Sequence, residues 1–326
     1  MRILSRQDIQ RLVSMRDVIA LMRELFVEVG SGAVAMPPRS GISLNDGRDT
    51  VLFMPGHVRR MNSIGVKVVS VFPDNPATNG RSTIHATVLL NDAETGEIAA
   101  MMDGTSVTAL RTAAVSALAT DLLARADAHR LGVFGAGVQA RSHVEAIRVV
   151  RSIDCVAVYD CSIERAQALV DGLRSNGAGD CRYEIAPSAD AVARGSDIIV
   201  TATTSRIPVF DGRLLMAGAH VNAIGSFKPE DRELDDETIR RGRVFVDSKP
   251  EAMAEAGDLI IPIANGTVTP EAVLGDLGTL VTHQQRGRQS NEDVTVFKSV
   301  GLAVEDIVVA DLVLRKAKAA NIGILV

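Results

Sequence analysis

The sequence predicts an α/β protein: a doubly wound parallel sheet inserted into a second, α+β domain. Three observations predict it. From Arg130 onward, short apolar strands alternate with helices, the rhythm of a parallel sheet covered on both faces. Before residue 105 the apolar runs are strand-like and separated by Gly, Pro, Asn and Asp turns. The closing segment, "VGLAVEDIVVADLVLRKAKA", is a helix with an apolar stripe that leaves the alternating unit and packs on the first domain. The expected domains are therefore 1–118 with 305–326, and 119–304 inserted between them.

The elements follow in order. "SMRDVIALMRELFVEVGSG" is a helix with Ser14 as N-cap and its end at Gly30 and Gly32. Val18, Leu21, Met22, Leu25 and Phe26 recur on one face. "TVLFMPGHV", "IGVKVVSVF" and "STIHATVLLND" read as strands, and "NDAETGEIAAMMDG" as a hairpin turning at Glu94 to Gly96. "TSVTALRTAAVSALATDLLARA" is a long Ala-rich helix. The parallel strands are "RLGVFGAG", "CVAVYD", "DIIVTAT", "HVNAIG" and "RVFVDS".

Composition narrows the class. With 46% hydrophobic and 23% charged residues in 326, the chain is of ordinary globular type. The net charge of -5, with no basic run, argues against a nucleic-acid partner. Cys155, Cys161 and Cys181 lack C-x-x-C spacing and fit a reducing cytoplasm. No apolar run approaches the ~20 residues of a membrane helix. "MRILSRQDIQRLV" has no uninterrupted apolar core for a signal peptide. The histidines show no metal-ligand spacing, so no metal is expected.

"LGVFGAGVQARSHVEAI" carries a dinucleotide fingerprint, Gly135-Ala136-Gly137-Val138-Gln139-Ala140. It follows the strand Leu131 to Phe134 and opens an amphipathic helix, and Asp160 ends the next strand about 20 residues on. Gly135 permits the tight turn, Gly137 clears space for the pyrophosphate, and Ala140 lets the helix lie close to the sheet. The helix N-terminus offers free N–H groups and a partial positive charge. The inserted domain is thus of Rossmann type. Asp160 is suited to the adenosine ribose hydroxyls, which favours NAD(H), while nearby Arg165 leaves NADP(H) open. Thr201 and Thr203 of "DIIVTAT" join the expected cofactor set.

Lys67 poses a problem. It sits in "SIGVKVVSVFPDN" among Val66, Val68, Val69, Val71 and Phe72, where an unpaired ammonium is costly. Together with "MPPRSG", "ETGEIAAMMDGTSVTALRTAAVSALA", "GAGVQARSH", "GAHVNAIGSFKPEDRELD" and "FKSVGLAVED", this stretch resembles the ornithine cyclodeaminase/mu-crystallin family over nearly the whole chain. The resemblance implies a homodimer whose first domains pair through their sheets, a nicotinamide cofactor, and an α-amino or α-imino acid in the cleft between domains. It implies that Arg39 and Arg111 bind the substrate carboxylate and that Lys67 lies beside the reacting carbon and nitrogen. Thr83 would line the site, and Thr112 would lie near the cofactor phosphates. Asn222 to Gly225, including Ala223, and Ser299 to Gly301, including Val300, would flank the nicotinamide. Arginine suits a small carboxylate because it grips with two prongs. His85, two residues past Thr83, is a second candidate proton carrier or a satisfied structural histidine; His143 reads as structural. Burial and two neighbouring arginines are expected to lower the Lys67 pKa towards ~7–8. The substrate carboxylate is expected to supply part of its counter-charge.

One departure narrows the chemistry. The family's cyclodeaminases and alanine dehydrogenase carry an aspartate in the loop after "NAIG", where this chain has Phe227. Glu230 and Asp231 follow three and four residues later. Members resembling mu-crystallin and pyrroline-2-carboxylate reductase also lack that acid. The expected activity is reduction of a cyclic imino acid, Δ1-pyrroline-2-carboxylate or Δ1-piperideine-2-carboxylate, to proline or pipecolate. The rivals are ornithine cyclodeaminase or an amino-acid dehydrogenase, and a non-catalytic ligand-binding protein.

Overall fold

The computed structural model describes residues 1–175 and 180–326, with the side chain of Pro76 left out. Two compact units are present: Met1–Arg111 with Leu302–Val326, and Thr112–Gly301. The chain passes between them inside the helix Gly104–Leu123. Among the described residues, no helix is long and apolar enough to cross a membrane.

The first unit is built on an eight-stranded sheet. Its strands are β1 (Arg2–Leu4), β2 (Val34–Ala35), β3 (Ser40–Leu44), β4 (Asp49–Val58), β5 (Ser63–Val71), β6 (Ile84–Asn91), β7 (Ile98–Asp103) and the C-terminal Ile324–Leu325. The last of these leads the order, followed by β1, β7, β6, β5, β4 and β2, with β3 also on β4. The β6–β7 hairpin turns where expected: the Asp92 carboxylate accepts from the N–H groups of Glu94 and Thr95, and Gly96 takes φ +78°. The helix Met15–Gly30 starts at Ser14 with a capping box to Asp17.

Helix Ala303–Ala320 covers one face of this sheet, packing on β4, β5 and β6. Residues that alternate onto that face are buried: Met54, Gly56 and Val58 on β4, Gly65 and Lys67 on β5, and Val88 and Leu90 on β6. Gly56 stands opposite Gly65. A Cβ on Gly56 would come to 3.0 Å from both Ile307 and Val304, so its bare backbone lets the helix lie against the sheet. The other face is apolar but less covered. Ile42, opposite Val51, and Phe53, opposite Val68, lie on it, with Ile42 55% and Phe53 36% exposed.

The second unit holds an all-parallel sheet: β8 (Arg130–Phe134), β9 (Cys155–Tyr159), β10 (Arg182–Ile185), β11 (Ile198–Thr201), β12 (His220–Ala223), β13 (Gly242–Val246), β14 (Val273–Asp276) and β15 (Val294–Lys298). The order is β10-β9-β8-β11-β12-β15-β13-β14. It reverses direction between β8 and β11, which makes the switch point of a Rossmann-type sheet, where ligands bind beyond the strand C-termini. The strands are apolar on both faces. Ile198 and Val200 join one core with Leu131 and Val156, whereas Ile199 joins the other with Val221 and Val296.

Candidate active site

In the second unit the expected cofactor residues collect at the C-terminal ends of the parallel strands. Gly135, Ala136 and Gly137 follow β8, and Val138 and Gln139 open the helix Val138–Val150. Gly135 takes φ +98°, and a Cβ there would meet the Ala202 carbonyl at 2.5 Å. A Cβ on Gly137 would meet nothing within 4 Å, so open space lies over the turn. Asp160 follows β9. Its Oδ1 accepts from the Ser162 N–H at 2.8 Å and from Arg165 Nη2 at 2.8 Å.

Thr201 and Ala223 end β11 and β12, and both are fully buried. Residues that sequence reasoning missed fasten these ends. The Glu233 carboxylate accepts from the hydroxyls of Thr201 and Thr203, the Thr203 N–H and the Gly225 N–H, all at 2.7–2.8 Å. Burial pushes its pKa up. Asp247 Oδ2 likewise accepts from the Ser299 hydroxyl and the N–H groups of Val300 and Gly301. Three buried polar atoms of the second unit have no hydrogen-bond partner among the described residues: Thr112 Oγ1, Gln139 Oε1 and Asn222 Oδ1. A glycine turn with open space, unsatisfied buried oxygens and helix N–H groups fit a dinucleotide.

In the first unit a buried charge cluster replaces the lone ammonium of the sequence reading. Lys67, 3% exposed, donates to Asp306 Oδ2 at 2.5 Å. Asp306 Oδ1 also accepts from Thr108 Oγ1 at 3.0 Å and Arg111 Nε at 3.2 Å. Arg111 Nη1 donates to Glu305 Oε2 at 2.7 Å. Both acids lie in the first turn of Ala303–Ala320, where the helix dipole favours negative charge. Burial lowers the Lys67 pKa most, Asp306 opposes that, and Arg111 adds to it; the result is about 8. Burial works against the charge of Arg111, yet the two carboxylates outweigh it and raise its pKa. Burial also works against ionised Asp306, but Arg111 and Lys67 prevail and hold it low.

Three expectations change. The counter-charge of Lys67 is Asp306, supplied by the protein itself. Of the two arginines, Arg111 acts directly on the lysine and lowers its pKa, while Arg39 is half-buried just before β3. His85 pairs with Ser70, while Lys67 pairs with Val88, so strand alternation puts His85 on the opposite face of the sheet from Lys67. Thr83 precedes β6 and its carbonyl accepts from the Phe72 N–H. His143 has both ring nitrogens engaged, with the Gln139 carbonyl and Ser116 Oγ. Phe227 packs against one core of the second unit. Glu230 is exposed, and the Asp231 carboxylate lies 3.7 Å from Arg206, so neither supplies a buried acid in its place.

A Rossmann-type sheet with a glycine turn, in a chain whose other unit buries a lysine and an arginine on carboxylates, defines a class of two-unit dinucleotide-binding proteins. The chain belongs to the ornithine cyclodeaminase/mu-crystallin family, which it matches over residues 1–321. It is 36% identical over 324 residues to a Δ1-pyrroline-2-carboxylate reductase of Bacillus cereus, covering 99% of this chain and 98% of that one. Its fold matches the Thermococcus litoralis Δ1-pyrroline-2-carboxylate reductase in complex with NADH and L-proline, with TM-score 0.96, 37% identity and 100% of each chain covered. It also matches an archaeal alanine dehydrogenase dimer with bound NAD, with TM-score 0.92, 32% identity and 99% and 98% covered.

The cluster balances two cations against two carboxylates, which sets an order of stability. Arg111→Met leaves two acids with one lysine and is expected to cost about 3–5 kcal/mol, as for breaking a buried pair. Lys67→Met leaves Asp306 held by Arg111 and Thr108 and is expected to cost less, about 1–3 kcal/mol. Urea unfolding of the two variants measures the order.

Proposed function

We propose that the chain is an oxidoreductase that reduces a cyclic imino acid, Δ1-pyrroline-2-carboxylate or Δ1-piperideine-2-carboxylate, to proline or pipecolate with NADH. The observation that carries the reading is Lys67: a buried ammonium tuned to about 8, beside Arg111, in a chain that has Phe227 where an acid would be needed to attack an imine. The relatives named above support it. Bound nicotinamide supplies hydride to the imine carbon. Arg39 and Arg111 hold the carboxylate, and Lys67 gives a proton to the imine nitrogen. A donor with a pKa near the working pH combines a large protonated fraction with an adequate driving force for transfer. The three free cysteines fit a reducing cytoplasm.

An absorbance assay of NADH with the two cyclic imines, alongside ornithine and alanine with NAD, tests the reaction. Oxidation of NADH by a cyclic imine is expected, with kcat/KM lowered about 10²–10⁴-fold in Lys67→Met. Proline formed from ornithine with release of ammonia would overturn the proposal, and unchanged turnover in the variant would remove Lys67 from it.

Gly137 tests the cofactor site separately. Because its Cβ would meet open space, Gly137→Val is expected to leave the urea midpoint unchanged while weakening NADH binding about tenfold or more. Equal NADH fluorescence titrations for variant and parent would move the pyrophosphate away from this turn. The bonds that Asp160 accepts from Ser162 and Arg165 go to Oδ1, so Oδ2 is left for the adenosine ribose, and this supports NAD(H) over NADP(H).

A homodimer pairing through the uncovered sheet face is part of the same proposal. The contiguous apolar residues Ile42, Val51, Phe53 and Val68 suit such an interface. Phe53→Asp is expected to shift the species from dimer to monomer by light scattering; a dimer that persists would place the contact elsewhere.

A further inference from the structure

We infer that Asp306 is a positioning residue of the reaction: it keeps Lys67 as a charged proton donor and sets Arg111 for the substrate carboxylate. The geometry carries this. One carboxylate oxygen takes the Lys67 ammonium at 2.5 Å, and the other takes Arg111 Nε at 3.2 Å and the Thr108 hydroxyl at 3.0 Å. The two side chains that meet substrate therefore share a single acid, which is itself fully buried. Thr108 and Arg111 lie three residues apart on Gly104–Leu123, so that helix fixes one oxygen and leaves the other directed at β5.

The chemistry needs such a partner. Hydride addition at the imine carbon converts the C=N π pair into a nitrogen lone pair, which takes the Lys67 proton. The lysine is then neutral and must regain one proton from solvent before the next turnover. Buried beside Arg111, a lysine without a counter-ion would stay neutral and fail as a donor. Asp306, Arg111 and Glu305 are charged groups acting on Lys67; its strand neighbours, Met54 on β4 and Val88 on β6, carry no charge. Glu305 is committed to Arg111 Nη1, so Asp306 is the carboxylate whose charge favours reprotonation of the lysine by solvent.

The inference rests on the proposed imine reduction for its kinetic arm only. The structural arm is an NMR titration of protein labelled at lysine Cε, with Lys67 assigned through Lys67→Met. The parent is expected to titrate near 8. Asp306→Asn keeps the shape and removes the charge, so the midpoint is expected to fall by about one unit or more. Since the lysine must be protonated to act, kcat/KM declines as pH rises through its pKa. In Asp306→Asn that decline moves to lower pH, with a loss of roughly tenfold or more near pH 8. Asp306→Glu restores the charge and is expected to return the midpoint towards the parent while kcat stays reduced. NADH binding reports that each variant is folded. If Asp306→Asn does not fold, Asp306→Glu carries the test, and an unchanged kcat overturns the inference. A Lys67 midpoint that is unmoved in folded Asp306→Asn also overturns it. A shifted midpoint in a protein whose parent reduces no imine leaves the pairing standing and removes the proposed reaction instead.

Discussion

The first unit depends on one constraint: two carboxylates, Glu305 and Asp306, are taken out of water on the inner face of a helix. Burying them alone would be prohibitive, and so would burying Lys67 and Arg111 alone. The solution is mutual and requires close approach. The helix has to lie against the sheet, which Gly56 permits, and the first helical turn has to carry the acids, where the backbone dipole favours them. Lys67 has to alternate onto the covered face of β5. Each of these choices is useless without the others. The cluster therefore specifies the register of the helix on the sheet as well as holding the charges, and a slip of one residue in β5 would move the ammonium to the face bearing Phe53 and Val68.

The second unit uses the same physical device without cations at its centre. Glu233 gathers four donors from the ends of β11 and β12, and Asp247 gathers donors from the segment after β15. Loops at the C-terminal edge of a parallel sheet have backbone N–H groups with no ladder partner, and a buried carboxylate satisfies several at once. The result is a rigid rim around the switch point. Lys298, fully buried, pairs with Asp258 at 2.8 Å, and Asp258 in turn accepts from the N–H groups of Glu233 and Leu234. The rim is thereby tied to a compensating positive charge, which offsets part of the cost of burying Glu233.

Much of this was legible in the sequence; β14 and the fully buried β15 lie outside the five parallel strands expected, and several other unexpected strands share a cause. The long strands β4, β5 and β6, the β6–β7 turn, the Ala-rich helix and the glycine turn all announce themselves through local pattern. β2 and the C-terminal strand have two residues each, β1 has three, and β10 reads "RYEI" with charges between its apolar positions. Such strands exist because a neighbour pairs with them, which no local window contains. The site divides the same way. Lys67 was visible as an anomaly because a charge in an apolar strand violates a local rule. Its partner lies 239 residues away. A signal for it did exist: "LAVEDIVVADLVL" is apolar on nearly every side, so adjacent acids within it could not both face water. His85 lies two residues past Thr83, yet strand parity separates it from Lys67, a relation that only the pairing of β5 with β6 reveals.

Phe227 bears on why the charge cluster is self-contained. An enzyme that attacks an imine with water or an amine needs a second acid–base group on the reacting centre, and that group must change protonation state during turnover. Here the loop position is committed to packing, and four of the buried acids are held by donors: Glu233 by the strand ends, Asp247 by the segment after β15, Glu305 by Arg111 and Asp306 by three partners. Around β5, burial brings the Lys67 pKa down to about 8. One proton carrier is what hydride addition to a preformed C=N requires, because a single proton enters the product nitrogen. A cluster neutral overall, with one mobile proton and an arginine held rigid, matches a reaction that delivers one proton and keeps a carboxylate in place. It is poorly matched to chemistry that must also activate a nucleophile and expel ammonia.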